Sequence, residues 1–292
     1  MSHRLLTKEF WTCVWTRSEE DEILARAAQL SYFFLLALFP LLVFLITLLG
    51  YFSGADSHLQ EKLLSYLGGV MPPAALQLVV ITLNEVTQGR GTGKLSLGIL
   101  FALWAASSGI NALAQALNAA YAVHETRPWW KVRLISIALT IALSVLIISA
   151  LLIVLYSGRL GETVAGMIYE GAVFEIVWRI LQWPIALVFV SMAVVMIYRF
   201  VPNVAAKRER KGLHRSDYRW RWLSPGVLIA IALWLLVSLG FRLYLHFFNS
   251  YSATYGSLGA LIILMLWFYL TGAAILLGGE INCQLEKEVR DE

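Results

Sequence analysis

Six stretches of this chain each run for twenty residues or more with at most one charged side chain, and no motif constrains the fold as strongly. They cover residues 30–52, 95–121, 134–157, 180–201, 226–248 and 258–279. A helix rises about 1.5 Å per residue, so about 20 apolar residues match the ~30 Å hydrocarbon core of a bilayer. Strands of a membrane barrel are roughly half as long and alternate in polarity, which these runs do not. The composition agrees, with 59% hydrophobic residues, 14% charged residues and a mean hydropathy of +0.70. Such values are foreign to a soluble domain. The chain therefore reads as all-α, a polytopic membrane protein with six transmembrane helices. The first run lies behind Glu19, Glu20, Asp21 and Glu22 and lacks a small-residue cleavage site, so it reads as a span and not as a signal peptide.

Lys and Arg near short loops are retained in the cytoplasm. With six spans, both termini share a side. Placing that side inside puts 17 of the 23 Lys and Arg in inner segments and five in outer ones, with Arg242 inside the fifth span. The expected topology is N-in/C-in. Residues 1–29 form a cytoplasmic interfacial helix and lead-in, residues 30–282 a single six-helix transmembrane domain, and residues 283–292 a cytoplasmic tail. An outer helical hairpin is expected over residues 53–94 and a basic cytoplasmic loop over residues 199–225.

Local signals fill in this frame. Leu6, Phe10 and Val14 share a side near Trp11 and Trp15, with Lys8 and Arg17 among them, which suits an amphipathic helix lying in the interface. Ser18 and Asp21 resemble a capping box, so a second helix is expected to start there. Pro40 and Pro184 each remove a backbone hydrogen bond within a span and predict kinks. The glycines of Gly89–Ser96 miss phosphate-loop spacing, and Leu95 stands where a magnesium-binding hydroxyl is needed, so this stretch reads as a hinge. Residues 251–259 read as a tight outer turn. The third span, relieved only by Ser136, Thr140, Ser144 and Ser149, reads as lipid-facing.

The second span is the least lipid-like. Ser107, Asn111, Gln115 and Asn118 recur at helical spacing, and Ser108, Ala112, Ala116 and Ala120 form a second stripe at intervals of four. Two readings fit the amide stripe: interhelical hydrogen bonds, or the lining of a hydrated cavity deepest toward the cytoplasm. Arg242 either snorkels to the outer interface or meets a lipid phosphate or a carboxylate inside the bundle. Glu280 is either an ion partner of Arg199 or Arg26, or an ordinary interfacial carboxylate.

Chemistry of other kinds has little to stand on. The five histidines are scattered, no HExxH or paired aspartates occur, and Cys13 and Cys283 are single. The expectation is no enzyme, no metal and no cofactor. The basic loop suits anionic lipid headgroups at the inner surface and needs no nucleic acid.

Several segments also carry a resemblance. ARAAQLSYFFLLALFPLL (Ala25–Leu42), YRFVPN (Tyr198–Asn203), SPG (Ser224–Gly226), YSATYGSLG (Tyr251–Gly259), LMLWFYLTG (Leu264–Gly272) and LLGGEIN (Leu276–Asn282) are similar, in order, to the YihY/BrkB family of bacterial inner-membrane proteins. The resemblance covers nearly the whole chain. It implies six spans and a multi-pass location in the bacterial inner membrane. Members are linked to envelope integrity, serum resistance and lipid export, and the family has also carried a ribonuclease label, for which these residues offer neither a metal cluster nor a positioned acid–base pair. Two classes of function follow. One is assistance in moving a lipid or other amphiphile, facilitated or partner-driven since no nucleotide site or carboxylate relay is present. The other is a non-transporting scaffold for envelope protein partners.

Overall fold

The computed structural model describes residues 7–53, 80, 92–155, 171–204, 224–247 and 251–288. Most of the expected outer hairpin, most of the basic loop and the end of the tail lie outside these residues. Within them the chain forms helices α1 (Lys8–Glu20), α2 (Ile23–Ser53), α3 (Thr92–Ala120), α4 (Trp129–Leu155), α5 (Gly171–Phe200), α6 (Pro225–Phe247) and α7 (Tyr251–Glu288), and no strand.

Five stretches are long and apolar enough to cross a membrane: Ile23–Leu42, Leu100–Ala120, Trp129–Ala150, Pro225–Tyr244 and Leu261–Glu286. This is a multi-pass helical architecture. The expected fourth span falls on α5, a helix of 30 residues whose apolar stretch, Pro184–Phe200, is shorter than the other five. Pro40 and Pro184 both lie inside helices that continue past them.

The helices extend beyond the apolar runs, which corrects three local expectations. Residues 251–259 are the first turns of α7 and not a turn between helices, and residues 92–96 open α3 and do not form a hinge. Neither stretch contains proline, and a glycine inside a helix costs only about 1 kcal/mol, which packing elsewhere overrides. Ser18 does not cap α2. It lies within α1 and donates to the Val14 carbonyl at 2.7 Å. The chain breaks later, where Glu22 adopts a left-handed φ of 51° and α2 restarts at Ile23.

Consecutive helices from α2 to α7 pack side by side, α7 returns to α2, and α3 also meets α7. The α1 helix rests on α7 and α2, with Phe10 and Val14 buried against Ile281 and Leu285. Its other face leaves Trp11 and Trp15 exposed, as an interfacial helix should. On α4 the hydroxyl residues are not lipid-facing. Ser136, Thr140 and Ser144 are buried, while Leu134, Ile141 and Val145 are exposed on the other side. Small hydroxyl residues let helix backbones approach closely, and Ser136 and Thr140 return their protons to carbonyls one turn back.

The larger cluster of buried side chains lies toward the end of the bundle where α1 sits, and a second cluster, Phe44, Ala102 and Leu103, packs α2 against α3 farther along. Among the described side chains, the buried ones of α5 begin at Val195, those of α6 stop at Ile231 and those of α7 begin at Ala273. Farther along, an aromatic contact between Trp234 and Trp267, with Phe34 against Phe268, joins α2, α6 and α7.

The tightest crossing in that core is between α6 and α7. Pro225 opens α6, where its fixed φ suits a first helical residue and its missing N–H costs nothing. A methyl group added to Gly226 would lie 2.2 Å from the Gly278 carbonyl oxygen, and one added to Gly278 would lie 2.4 Å from Tyr198 Oη. Backbone meets backbone here, so neither glycine has room for a side chain. Gly278→Ala is expected to destabilise the protein by about 2–3 kcal/mol through overpacking, whereas Gly240→Ala, with open space around it, should stabilise or leave it unchanged. Thermal unfolding of the two variants in detergent checks this.

Candidate functional site

The polar residues of the core end form a knot, built where two helices stop and a third begins. α3 ends in a Schellman turn: Val123 N–H donates to the Asn118 carbonyl at 2.8 Å and Ala122 N–H to the Ala119 carbonyl at 2.7 Å. Ala122 takes the left-handed position of that turn, with φ of 49°, where glycine is usual. The turn sends residues 123–128 back along α3, and so carries Glu125 to Asn118.

The end of α5 arrives beside it. Pro202 cannot continue a helix and disfavours helical geometry at Val201, so the carbonyls of Phe200 and Val201 lose their normal partners. Arg127 takes both, at 3.5 Å from Nη1 and 2.9 Å from Nη2. The same guanidinium grips Glu125 in a fork, Nε to Oε1 at 2.8 Å and Nη2 to Oε2 at 2.7 Å, and the Arg127 backbone N–H adds a third bond at 2.9 Å. Asn118 then bridges loop and helix end. Its Nδ2 donates to Glu125 Oε2 at 2.9 Å, and its Oδ1 accepts the backbone N–H of Asn203 at 2.8 Å. Asn203 Nδ2 donates in turn to Thr126 Oγ1 at 2.9 Å.

A second set of bonds ties in α6 and α7. Asn282 Oδ1 accepts the Gly226 N–H at 2.9 Å, filling one of the vacant donors at the start of α6, while its Nδ2 donates to Tyr121 Oη at 3.3 Å. Tyr198, fully buried, donates to the Ile275 carbonyl at 2.6 Å. Beside α1, Gln284 Nε2 donates to Glu280 Oε1 at 2.7 Å, and Glu280 is only 1% exposed.

The amide stripe of α3 thus divides among different surroundings. Asn118 is buried in the knot. Ser107 is buried and donates to the Trp104 carbonyl of its own helix, Asn111 is half-buried, and Gln115 is exposed. Arg199 is exposed with its guanidinium over the Phe200 ring, and Arg242 is exposed on α6. Periodicity pointed to Asn118 but not to Glu125, Arg127 or Asn203. The available signal was their position: each lies within a few residues of a helix-stopping turn or proline.

Chemically the knot is a latch. Burial pushes the Glu125 carboxyl up, but hydrogen bonds from the Arg127 side chain and backbone and from Asn118, with the Arg127 charge, outweigh it and hold the group below its usual range. A carboxylate held ionised in this way is a poor proton donor near neutral pH. Among the described residues no group of three His, Cys, Asp or Glu side chains could hold a metal ion.

Two measurements probe the latch. Asn118→Leu leaves the Asn203 N–H and one Glu125 oxygen without their partner and is expected to cost about 2–3 kcal/mol, while the exposed Gln115→Leu stays within about 0.5 kcal/mol; chemical unfolding in micelles reads both. The Glu125 pKa is lower in the folded state. Its contribution is therefore complete above the unfolded glutamate value of about 4.3 and is lost as pH falls through the lower folded value. The stability gap between wild type and Glu125→Gln should close over that acid window, as acid-dependent melting curves would show.

The family model described as virulence factor BrkB matches residues 14–292. The ribonuclease-like protein YfkH of Bacillus subtilis (strain 168) is 37% identical over 263 residues, covering 90% of this chain and 90% of that protein. UPF0761 membrane proteins of Xanthomonas campestris and Xanthomonas axonopodis are 29% and 28% identical over 286 residues, covering 95% of this chain. The chain spans 61% of the length of these Xanthomonas relatives. No solved structure matches it. With its apolar helices and the match over nearly its whole length, the chain belongs to the BrkB family of membrane proteins.

Proposed function

We propose that this protein assists the movement of a lipid or other amphiphile in the bacterial inner membrane, with the knot as a latch closing its cytoplasmic end. The observation that carries this reading is the one-ended burial of α5, α6 and α7. The described side chains of α5, α6 and α7 are buried near the knot and only partly covered or exposed farther along. Three helices fastened at one end and less covered at the other, beside α2, α3 and α4 that stay packed farther along, suit a carrier or lateral gate in one of its states. The cytoplasmic placement is supported by charge, since Arg17, Arg26, Arg127 and Arg199 belong to helix ends and turns gathered at the knotted end. With both termini inside, the basic loop would lie against anionic headgroups.

The name of the Bacillus relative is carried by a member of the same family. RNA hydrolysis would need a metal cluster or a free acid–base pair, and Glu125, the carboxylate of the knot, is committed to Arg127. A second reading, a non-transporting scaffold for envelope partners, is favoured by one observation: Asn118 spends its amide on protein partners, not on a cavity.

Reconstituted wild type is expected to speed the flip-flop of a fluorescent phospholipid above the rate in protein-free liposomes. Arg127→Ala, which frees the ends of α3 and α5 from one another, is expected to raise that rate a further severalfold. Equal rates for protein-free liposomes, wild type and Arg127→Ala, with the protein folded, would overturn unaided movement and favour the scaffold.

A further inference from the structure

One cation stands apart from the knot. Arg133 lies near the start of α4, inside the apolar stretch Trp129–Ala150, and is only 8% exposed. Its Nη2 donates to the Trp104 carbonyl of α3, and its guanidinium carbon sits 3.9 Å from the centroid of the Trp104 ring. Its Nε is buried without a hydrogen-bond partner. A guanidinium has five N–H donors, so most of this one's capacity is unused. Among the described residues Arg133 has no ion pair, and the acidic residue nearest in sequence, Glu125, is held by Arg127. A buried cation without an anion is a costly arrangement, and in a span it marks a place where an anion belongs.

Depth and surroundings indicate which anion. Trp104 precedes the end of α3 by sixteen residues, or about 24 Å along the axis. Its ring lies 5.9 Å from that of Trp129, the first residue of α4. α4 therefore begins level with the middle of α3, and Arg133 sits at the depth of the apolar stretch Leu100–Ala120. Around it, Trp129 is 70% exposed, Trp130 and Lys131 are exposed, and Leu100, Phe101 and Leu134 present bare apolar surface. Tryptophans and a cation beside exposed aliphatic surface match the chemistry of a lipid, whose phosphate suits the cation and whose acyl chains suit the aliphatic flank. Free phosphate would use the cation and leave the apolar flank bare, whereas a lipid uses both. The unpaired positive charge of Arg133 also disfavours a headgroup that carries its own cation.

We propose that Arg133 binds the phosphate of an anionic glycerophospholipid whose acyl chains lie along Leu100, Phe101 and Leu134. The site needs no transport step and stands or falls independently of the latch.

Native mass spectrometry of the full-length protein, delipidated and offered phosphatidylglycerol or phosphatidylcholine, tests it. Wild type is expected to retain phosphatidylglycerol about tenfold better, a preference that Arg133→Gln removes. Excess inorganic phosphate should not displace the lipid. Equal retention of both lipids by wild type would overturn the site, and this comparison needs no variant if Arg133→Gln fails to fold. Wild-type retention by a folded Arg133→Gln would overturn it too, and displacement by inorganic phosphate would reassign it to a free anion.

Discussion

The arrangement depends on satisfying the backbone at helix ends that meet inside a membrane protein. Each helix terminus leaves several N–H or C=O groups without an intrahelical partner, and in an apolar setting an unsatisfied group costs several kcal/mol. Here the end of α3, the end of α5 and the start of α6 come together within one packed region beside α7. Arg127 covers the carbonyls freed by Pro202, Asn118 covers the Asn203 N–H, and Asn282 covers the Gly226 N–H. An interhelical hydrogen bond in a membrane averages only about 0.6 kcal/mol when both partners can find substitutes. The consequence of removing one partner is larger, because the group left behind is buried. That asymmetry makes the knot a matter of specificity: it fixes which helix ends adjoin.

Shape and charge act together at this end. Gly226 and Gly278 bring α6 and α7 into backbone contact, and that closeness is what lets Asn282 reach the first turn of α6 and Tyr198 reach the Ile275 carbonyl. A side chain at either glycine would push the helices apart and open the hydrogen bonds as well. The Glu125–Arg127 fork is ionised at physiological pH, so the loop that carries it stays fastened there. Farther along, edge-to-face ring pairs join α2, α6 and α7, while the described side chains of α5 and α6 are only partly covered or exposed. The difference between the ends gives the protein a hinge-like asymmetry, which is the basis of the proposed latch.

The two cation sites follow different rules. Arg127 has a carboxylate and two carbonyls and is used up by the protein. Arg133 has one carbonyl and one aromatic face, and sits where the surface is apolar and rich in tryptophan. Arg127 lies seven residues after the end of α3 and Arg133 four residues past the start of α4, yet one closes the fold and the other offers itself to lipid. Their difference is one of depth: the loop after α3 climbs back along that helix before α4 begins.

The sequence by itself determined the class of fold. Apolar length, the scarcity of charge and the prolines at Pro202 and Pro225 place the helices and several of their ends, because these follow from local rules of backbone geometry and transfer to lipid. It also marked Asn118 as a polar group in an apolar helix, and the family motifs around Asn203, Gly226 and Gly278. Only the tertiary structure decided what those groups meet. Asn118 finds Asn203 at a separation of 85 residues, and Gly226 finds Asn282 at 56. No periodicity encodes such a pairing. For the same reason the hydroxyls of α4 read as relief in a lipid-facing helix until packing put Ser136, Thr140 and Ser144 inside, and Arg133 read as one more loop charge until its burial against Trp104 set it apart. Composition reports how much polarity a helix carries. Which face that polarity occupies against a neighbour is fixed by the order in which the helices pack.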